Sequence, residues 1–286
     1  MMNFRQSFRS LYAAAWMGVQ HDLAWTTPAA SLLLNVVPPF ASAMTTSIIY
    51  WFGSTYSSGS GGFDPSRLAF VLVGSTLYAH IAAYTWVPTV AVAEGKNLAV
   101  FPHIYITSKS TSLYLAGRAL SSFIISTVTS VLALAVACYS LGSFFRTTVP
   151  LIVTPASALM LGVALLVNIP GALGLGYLLG AYSLYASKFE WSLPGYVAGL
   201  LMVFSGALFS TSILPWPVSV GAAALPYTLF ISAARDALIY GLPLSYAWAL
   251  VYCAFGGVLV LAGGLWVFSV AEKKARKDGV LDRRLA

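Results

Sequence analysis

The sequence predicts an all-α integral membrane protein with six transmembrane helices, on three observations. Hydrophobic residues make up 59% of the 286 and charged residues only 8%, with a mean hydropathy of +0.82, whereas soluble domains sit at roughly 45–50% apolar and about 25% charged. Six apolar stretches reach the ~20 residues that a membrane-crossing helix needs: Pro28–Phe52, Leu68–Ala93, Leu113–Leu141, Val149–Tyr182, Pro194–Ser212 and Tyr246–Val270. They lack the alternation of barrel strands, and backbone exposed to lipid has to bond within its own segment, so they read as helices. Finally, twelve of the fifteen Lys and Arg fall on the face that holds both termini, and only Arg67, Arg146 and Arg235 fall on the other. By the positive-inside rule the richer face is cytoplasmic. The expected place is therefore the cytoplasmic membrane, multi-pass, with both termini inside.

Residues 1–27 precede the first span. In "NFRQSFRSLYAAAWMGVQHDLAW" the residues Phe4, Phe8, Leu11, Tyr12, Ala15, Trp16 and Val19 recur at spacings of three and four, with Arg5, Arg9 and Gln20 off that stripe. The pattern predicts an amphipathic helix lying in the membrane interface with its aromatics as anchors.

Residues 28–270 form the transmembrane domain. The first span carries Pro38 and Pro39, which remove backbone donors and are expected to bend or break it. Its polar residues Ser31, Asn35, Ser42 and Thr46 fall on one side, the side that faces protein or water in lipid. The Gly/Ser-rich loop that follows is too short for a folded outer domain. On the second span Thr76, His80 and Tyr84 form a second polar stripe at i−4, i and i+4. A lone intramembrane histidine reads first as a hydrogen-bonded packing residue and second as a proton relay. The fourth stretch is longer than one crossing and is expected to kink at Asn168–Pro170. Its glycines, in an apolar helix with no strand before them, signal helix packing rather than a nucleotide fingerprint.

The fifth span offers Gly195, Gly199 and Gly206 on a small side. Beyond it, "GALFSTSILPWPVSVGAAALPYTLFISAARDALIYGLPL" is apolar but divided by Pro215, Pro217 and Pro226. A full crossing here would put the basic C-terminus outside. A re-entrant pair of short helices on the outer side satisfies both composition and charge. Residues 271–286 form a basic cytoplasmic tail suited to anionic lipid headgroups, and the net charge of +7 needs no nucleic acid to explain it.

Several chemistries are missing from the sequence. No GxxxxGK[ST] nucleotide loop occurs, and Gly95–Lys96 is the only Gly–Lys pair. His21, His80 and His103 sit in three separate segments, and no acidic residue falls near the centre of a span. The expected catalytic and metal sets are empty, and the chain reads as a transport protein rather than an enzyme.

Two regions give that reading a family. After the second span come Glu94–Gly95, then "LAVFPHIYI", then "TSKS" (Thr107–Ser110), then "LAGRAL" (Leu115–Leu120). After the fifth come "LPWP" (Leu214–Pro217), "LPYTLF" (Leu225–Phe230) and "AARDAL" around Arg235. In these regions the chain resembles the type-2 ATP-binding-cassette (ABC) exporter permeases. Those proteins carry an acidic residue and a Gly, an amphipathic coupling helix, a T-P-x-S-type turn and a helix opening in L-x-G-[KR]-x-L, with an L-P-[LY]-T-[YF] stretch and a later Arg after the fifth span. Ser108 stands where the turn usually has proline, and the interval from Glu94 to Thr107 is longer than usual.

The resemblance implies a cytoplasmic coupling helix between spans two and three, with Glu94, Gly95, Phe101, His103, Tyr105, Thr107 and Lys109 docking on a separate nucleotide-binding ATPase subunit that holds ATP and Mg. It implies a homodimer or a pair with a related permease. It also implies a path for an exported amphiphile (drug, lipid, lipid-linked glycan or peptide) between the first, second and fifth spans. On that path lie Asn35, Ser42, Thr46, Thr76, His80, Tyr84, Phe204 and Phe209. The outer re-entrant region carries Pro215, Trp216, Pro226, Tyr227, Arg235 and Asp236. The alternative is an ion-coupled carrier or channel that works without ATP through His80 and the Arg235–Asp236 pair.

Overall fold

The computed structural model describes residues 4–24, 27–56, 63–97, 111–146, 148–185 and 192–279, and among these it is mostly helical, with no strand. Nine α-helices follow in order: α1 Phe4–Ala24, α2 Pro28–Tyr56, α3 Pro65–Asn97, α4 Thr111–Phe145, α5 Pro155–Tyr185, α6 Leu193–Phe204, α7 Val218–Ala223, α8 Pro226–Arg235 and α9 Pro243–Lys277. A 3-10 turn covers Thr211–Ile213 and a π turn Asp236–Tyr240.

Five of these, α2, α3, α4, α5 and α9, are long and apolar enough to cross a membrane. The chain is thus an all-α, multi-pass membrane protein. At a rise of 1.5 Å per residue the 35 residues of α4 extend about 52 Å, well beyond the ~30 Å hydrocarbon core.

Contacts between the helices fix their directions. Pro88 of α3 meets Gly176 of α5, Val92 meets Gly180, and Lys96 reaches Ser183, so α3 and α5 run the same way. Gly171 meets Gly257 and Gly180 meets Phe268, which sets α9 parallel to both. His80 pairs with Ser126 and Glu94 with Arg118, so α4 is antiparallel to α3. One end of the bundle therefore gathers Glu94, Lys96, Thr111, Arg118 and Glu272, and the other gathers Arg67, Arg146 and Arg235. We call these the Glu94 end and the Arg235 end.

Close helix approach rests on small residues, as expected in lipid, where no hydrophobic difference separates helix from solvent. A Cβ at Gly174 would sit on the backbone of Val260 and Leu261, and one at Gly264 on the Gly174 carbonyl. The glycine-rich stretch of α5 is a packing face.

α1 uses the same device. Ala14 and Gly18 cross α4 at Gly117 and Ser121, so closely that a Cβ on either glycine would overlap the other helix. The apolar stripe of α1 is therefore divided. Ala14 and Ala15 are buried while Phe8, Tyr12 and Trp16 face outward.

Four expectations need correction. The fourth stretch does not begin its helix at Val149; residues 148–153 are extended and α5 starts at Pro155, where Thr154 and Ser157 cap each other's backbone. The fifth stretch is helical for only 12 residues and ends at Phe204, after which Gly206 turns with φ +70. Gly206 is thus a turn residue, and Gly199 has nothing within 4 Å of a Cβ position, so neither packs helices as expected. Finally, α2 continues through Pro38 and Pro39 without the break that was one of the two expected outcomes; α5 is also continuous through Asn168–Pro170. The missing proline donors instead deprive the Leu34 and Asn35 carbonyls of their usual partners. Residues 271–277 continue α9.

Candidate functional site

The stripe of α2 reaches a cavity of about 570 Å³ between α2, α3 and α4, whereas the Thr76–His80–Tyr84 stripe of α3 does not line it. Asn35, Pro38, Pro39 and Ser42 line it from α2, Tyr78, Ala82 and Trp86 from α3, and Ser122, Ser126, Thr129 and Ser130 from α4. Its volume falls within the ~300–1,000 Å³ of small-molecule sites. The hydroxyl of Ser130 is buried with no hydrogen-bond partner among the described residues. Buried polar groups are normally paired, so an orphan at a cavity wall is where a ligand or water bonds. No carboxylate, thiol or imidazole lines this space.

Of the expected path residues, Asn35 and Ser42 reach the cavity. Thr46 lies a turn beyond, its hydroxyl bonded to the Ser42 carbonyl at 2.9 Å. Thr76 is buried and bonds the Leu72 carbonyl at 2.7 Å. His80 stands behind the wall: its Nδ1 shares a 2.9 Å hydrogen bond with the Ser126 hydroxyl and its Nε2 a 3.3 Å bond with the Tyr84 hydroxyl. The rings of Tyr84, Phe123 and Phe230 surround it. It is fully buried and held on both nitrogens. Phe204 and Phe209 do not line the cavity, whose third wall is α4 rather than the fifth span.

That third wall was readable but missed. Ser122, Ser126, Thr129 and Ser130 recur at i, i+4, i+7 and i+8, the spacing of one helix face. Hydroxyl residues are common in transmembrane helices, so the stripe does not stand out by composition as Asn35 or His80 does.

At the Glu94 end, α3 and α4 approach residues 98–110 from either side. Phe101, His103, Tyr105, Thr107 and Lys109 lie outside the described residues. The stems are described and are tied together. Glu94 meets Arg118 at 3.7 Å and His21 at 3.5 Å, which joins α3 to α4 and α1. Gly95 is buried beside it. Lys96, also buried, donates to the Ser183 carbonyl at 2.7 Å and so reaches α5. Thr111 donates to Glu272 of α9 at 2.7 Å, and Arg276 holds the same carboxylate.

The Arg235 end is built differently. Pro215 and Trp216 are exposed, and a cis peptide joins Trp216 to Pro217. α8 starts at mid-depth, where Tyr227 donates to the Gly171 carbonyl at 2.8 Å and the Cys253 thiol donates to the carbonyl of Pro226. It ends with Arg235, whose guanidinium donates to the carbonyls of Phe70, Gly206 and Ala207 and lies 3.3 Å from the centroid of the Phe70 ring. Asp236 takes a 2.7 Å bond from Ser245 instead. Arg235 and Asp236 thus serve separate partners, and the pair that a carrier would use is not formed.

No protein-family model matches the chain, and a sequence search of curated proteins finds none that matches it.

Proposed function

We propose that the chain is the permease subunit of an ABC exporter, moving an amphiphilic compound across the cytoplasmic membrane with energy from separate ATPase subunits. The observation that carries the reading is mechanical. The two helices that bracket residues 98–110 are locked to each other by Glu94 and Arg118, and the same two helices wall the 570 Å³ cavity. A push on the segment between them tilts α3 and α4 together and reshapes the cavity, the kind of shear by which packed helices transmit motion. Asn35, Ser42, Ser122, Ser126 and Ser130 would bind the polar part of the cargo, and Tyr78, Trp86 and the prolines its apolar part. The missing donors at Pro38 and Pro39 leave α2 the most deformable wall.

In this reading α6 belongs to the sixth crossing. Tyr185 lies at the Glu94 end, where its hydroxyl bonds the Ala271 carbonyl; Gly206 lies at the Arg235 end, and the chain passes from one to the other. α8 is then the inner limb of a re-entrant pair. The Glu94 end faces the cytoplasm, because it carries most of the basic residues, and the permease works as a dimer.

Affinity purification of the full chain from native membranes in mild detergent tests the proposal. A nucleotide-binding ATPase is expected to copurify at one per permease, and vesicles holding the complex should accumulate amphiphile only with ATP. A stable chain that purifies with no ATPase overturns it, as does transport that follows an imposed proton or sodium gradient without ATP.

A further inference from the structure

A second, larger cavity, of about 730 Å³, opens between α4 and α5 toward the Arg235 end. Val131, Leu134 and Cys138 line its depth from α4, Leu161 lines it from α5, and Leu238 of the π turn closes one wall. Val149 and Val153 of the extended connection bridge the two helices there. One charged residue joins this lining, Arg146, at the end of the groove.

Arg146 terminates α4 in the left-handed region, with φ +49, a conformation that costs a residue with a Cβ about 1 kcal/mol and is usually filled by Gly or Asn. Its side chain is exposed and makes no ion pair among the described residues. Val131 and Arg146 are 15 residues apart, about 22 Å along a helix, which exceeds the ~15 Å of hydrocarbon in one leaflet. The groove is therefore apolar over the depth of a leaflet and cationic at its end.

We infer that this groove holds an anionic phospholipid of the leaflet on the Arg146 side, its acyl chain between α4 and α5 and its phosphate on the Arg146 guanidinium. Charge complementarity selects the occupant. An uncharged amphiphile would leave the cation unanswered, a zwitterionic lipid would bring its own ammonium beside Arg146 and its phosphate, and a free phosphate would leave the apolar wall empty. Arginine is suited to phosphate through paired N–H donors. Because Val149, Val153 and Leu238 contact the chain, the lipid also braces the connection to the π turn that follows Arg235. The inference rests only on the chain spanning a membrane and not on the proposed transport function.

Native mass spectrometry of the full chain, delipidated in mixed micelles of phosphatidylglycerol and phosphatidylcholine with matched chains, tests it. The protein should retain one phosphatidylglycerol, preferred about tenfold, the discrimination one charge-assisted contact supplies. Arg146→Asn, which suits the left-handed backbone, should bring the two lipids to parity, and Ala135→Trp should expel both. A phosphatidylglycerol with a photoreactive acyl chain should label peptides within 131–161 of the unaltered protein, so the test survives if the Trp variant does not fold. Equal retention of both lipids by the unaltered protein overturns the inference, and so does labelling elsewhere. Competition by glycerol phosphate alone would assign a phosphate site rather than a lipid site. A dimer that Ala135→Trp dissolves without loss of lipid would assign the groove to a second copy of the chain. Either result also overturns it.

Discussion

Two buried arginines hold the two ends of this bundle, and they are held in opposite ways. Arg235 is bound by backbone: three carbonyls at 2.8–3.2 Å and a ring face. Arg118 is bound by a side chain, the Glu94 carboxylate at 3.7 Å, and its Nε has no hydrogen-bond partner among the described residues. Backbone carbonyls move only if a whole element moves, so the Arg235 contacts are permanent and join α3, the turn after α6 and α8 into one block. A carboxylate on a neighbouring helix can rotate away. The difference teaches what each clamp depends on: the Arg235 contacts form a frame set by backbone positions, whereas the Arg118 contact depends on one carboxylate rotamer.

The largest effect should come from breaking the frame. Arg235→Ala strips three carbonyls of their donor, and leaving buried groups unpaired costs about 1–3 kcal/mol each. We expect at least about 3 kcal/mol of lost stability, read as a large drop in thermal-melting midpoint in detergent. A melting point near that of the unaltered protein would mean the frame is held by packing alone. Next comes Gly174→Leu, which drives a side chain into the Val260–Leu261 backbone of α9; overpacking of this kind costs about 1–3 kcal/mol. The same measurement checks it.

Arg118→Gln should cost less, about 1 kcal/mol, since the pair it breaks is long and Glu94 keeps access to water. Its signature lies elsewhere: cargo-stimulated ATPase activity of the complex should fall several-fold while assembly persists. Stimulation that is unchanged would move the coupling path away from the Glu94 pair. The smallest change in stability belongs to Asn35→Leu at the cavity wall, within about 0.5 kcal/mol because the side chain is exposed. It should alter which amphiphiles stimulate the ATPase, with basal activity kept. An identical stimulation profile would make the α2 stripe structural.

The sequence made the frame easier to read than the moving parts. Long apolar runs gave five helices to within about a turn at most ends, because a bilayer imposes length on a segment whatever its tertiary partners. The Gly174 face followed from composition for the same reason. The fifth stretch misled because hydropathy does not register where a helix stops. Phe204 and Phe209 are equally apolar, and only the left-handed Gly206 between them ends regular structure. Ser126 was overlooked although it joins His80 to the cavity, since a serine announces nothing until its partner's position across 46 residues is known. The Lys96 contact with Ser183 is equally tertiary, and no local pattern encodes it.

α3 sits at the centre of all this, touching α2, α4, α5, α6 and α8, with Ser75, Thr76, His80, Thr85 and Thr89 fully buried against them. During synthesis it leaves the ribosome after α2 and before the helices that complete its surroundings. The residues that cover its Arg235 end follow on the order of ten seconds later at ordinary elongation rates. Through that interval the most polar of the long helices has α2, then α4 and α5, to shield it from lipid, and still lacks α8. The central helix is made early and completed late, so a nascent chain arrested before α8 presents its hydroxyls and unclamped Phe70 carbonyl to the bilayer. Such a chain is the form that membrane quality control would meet first.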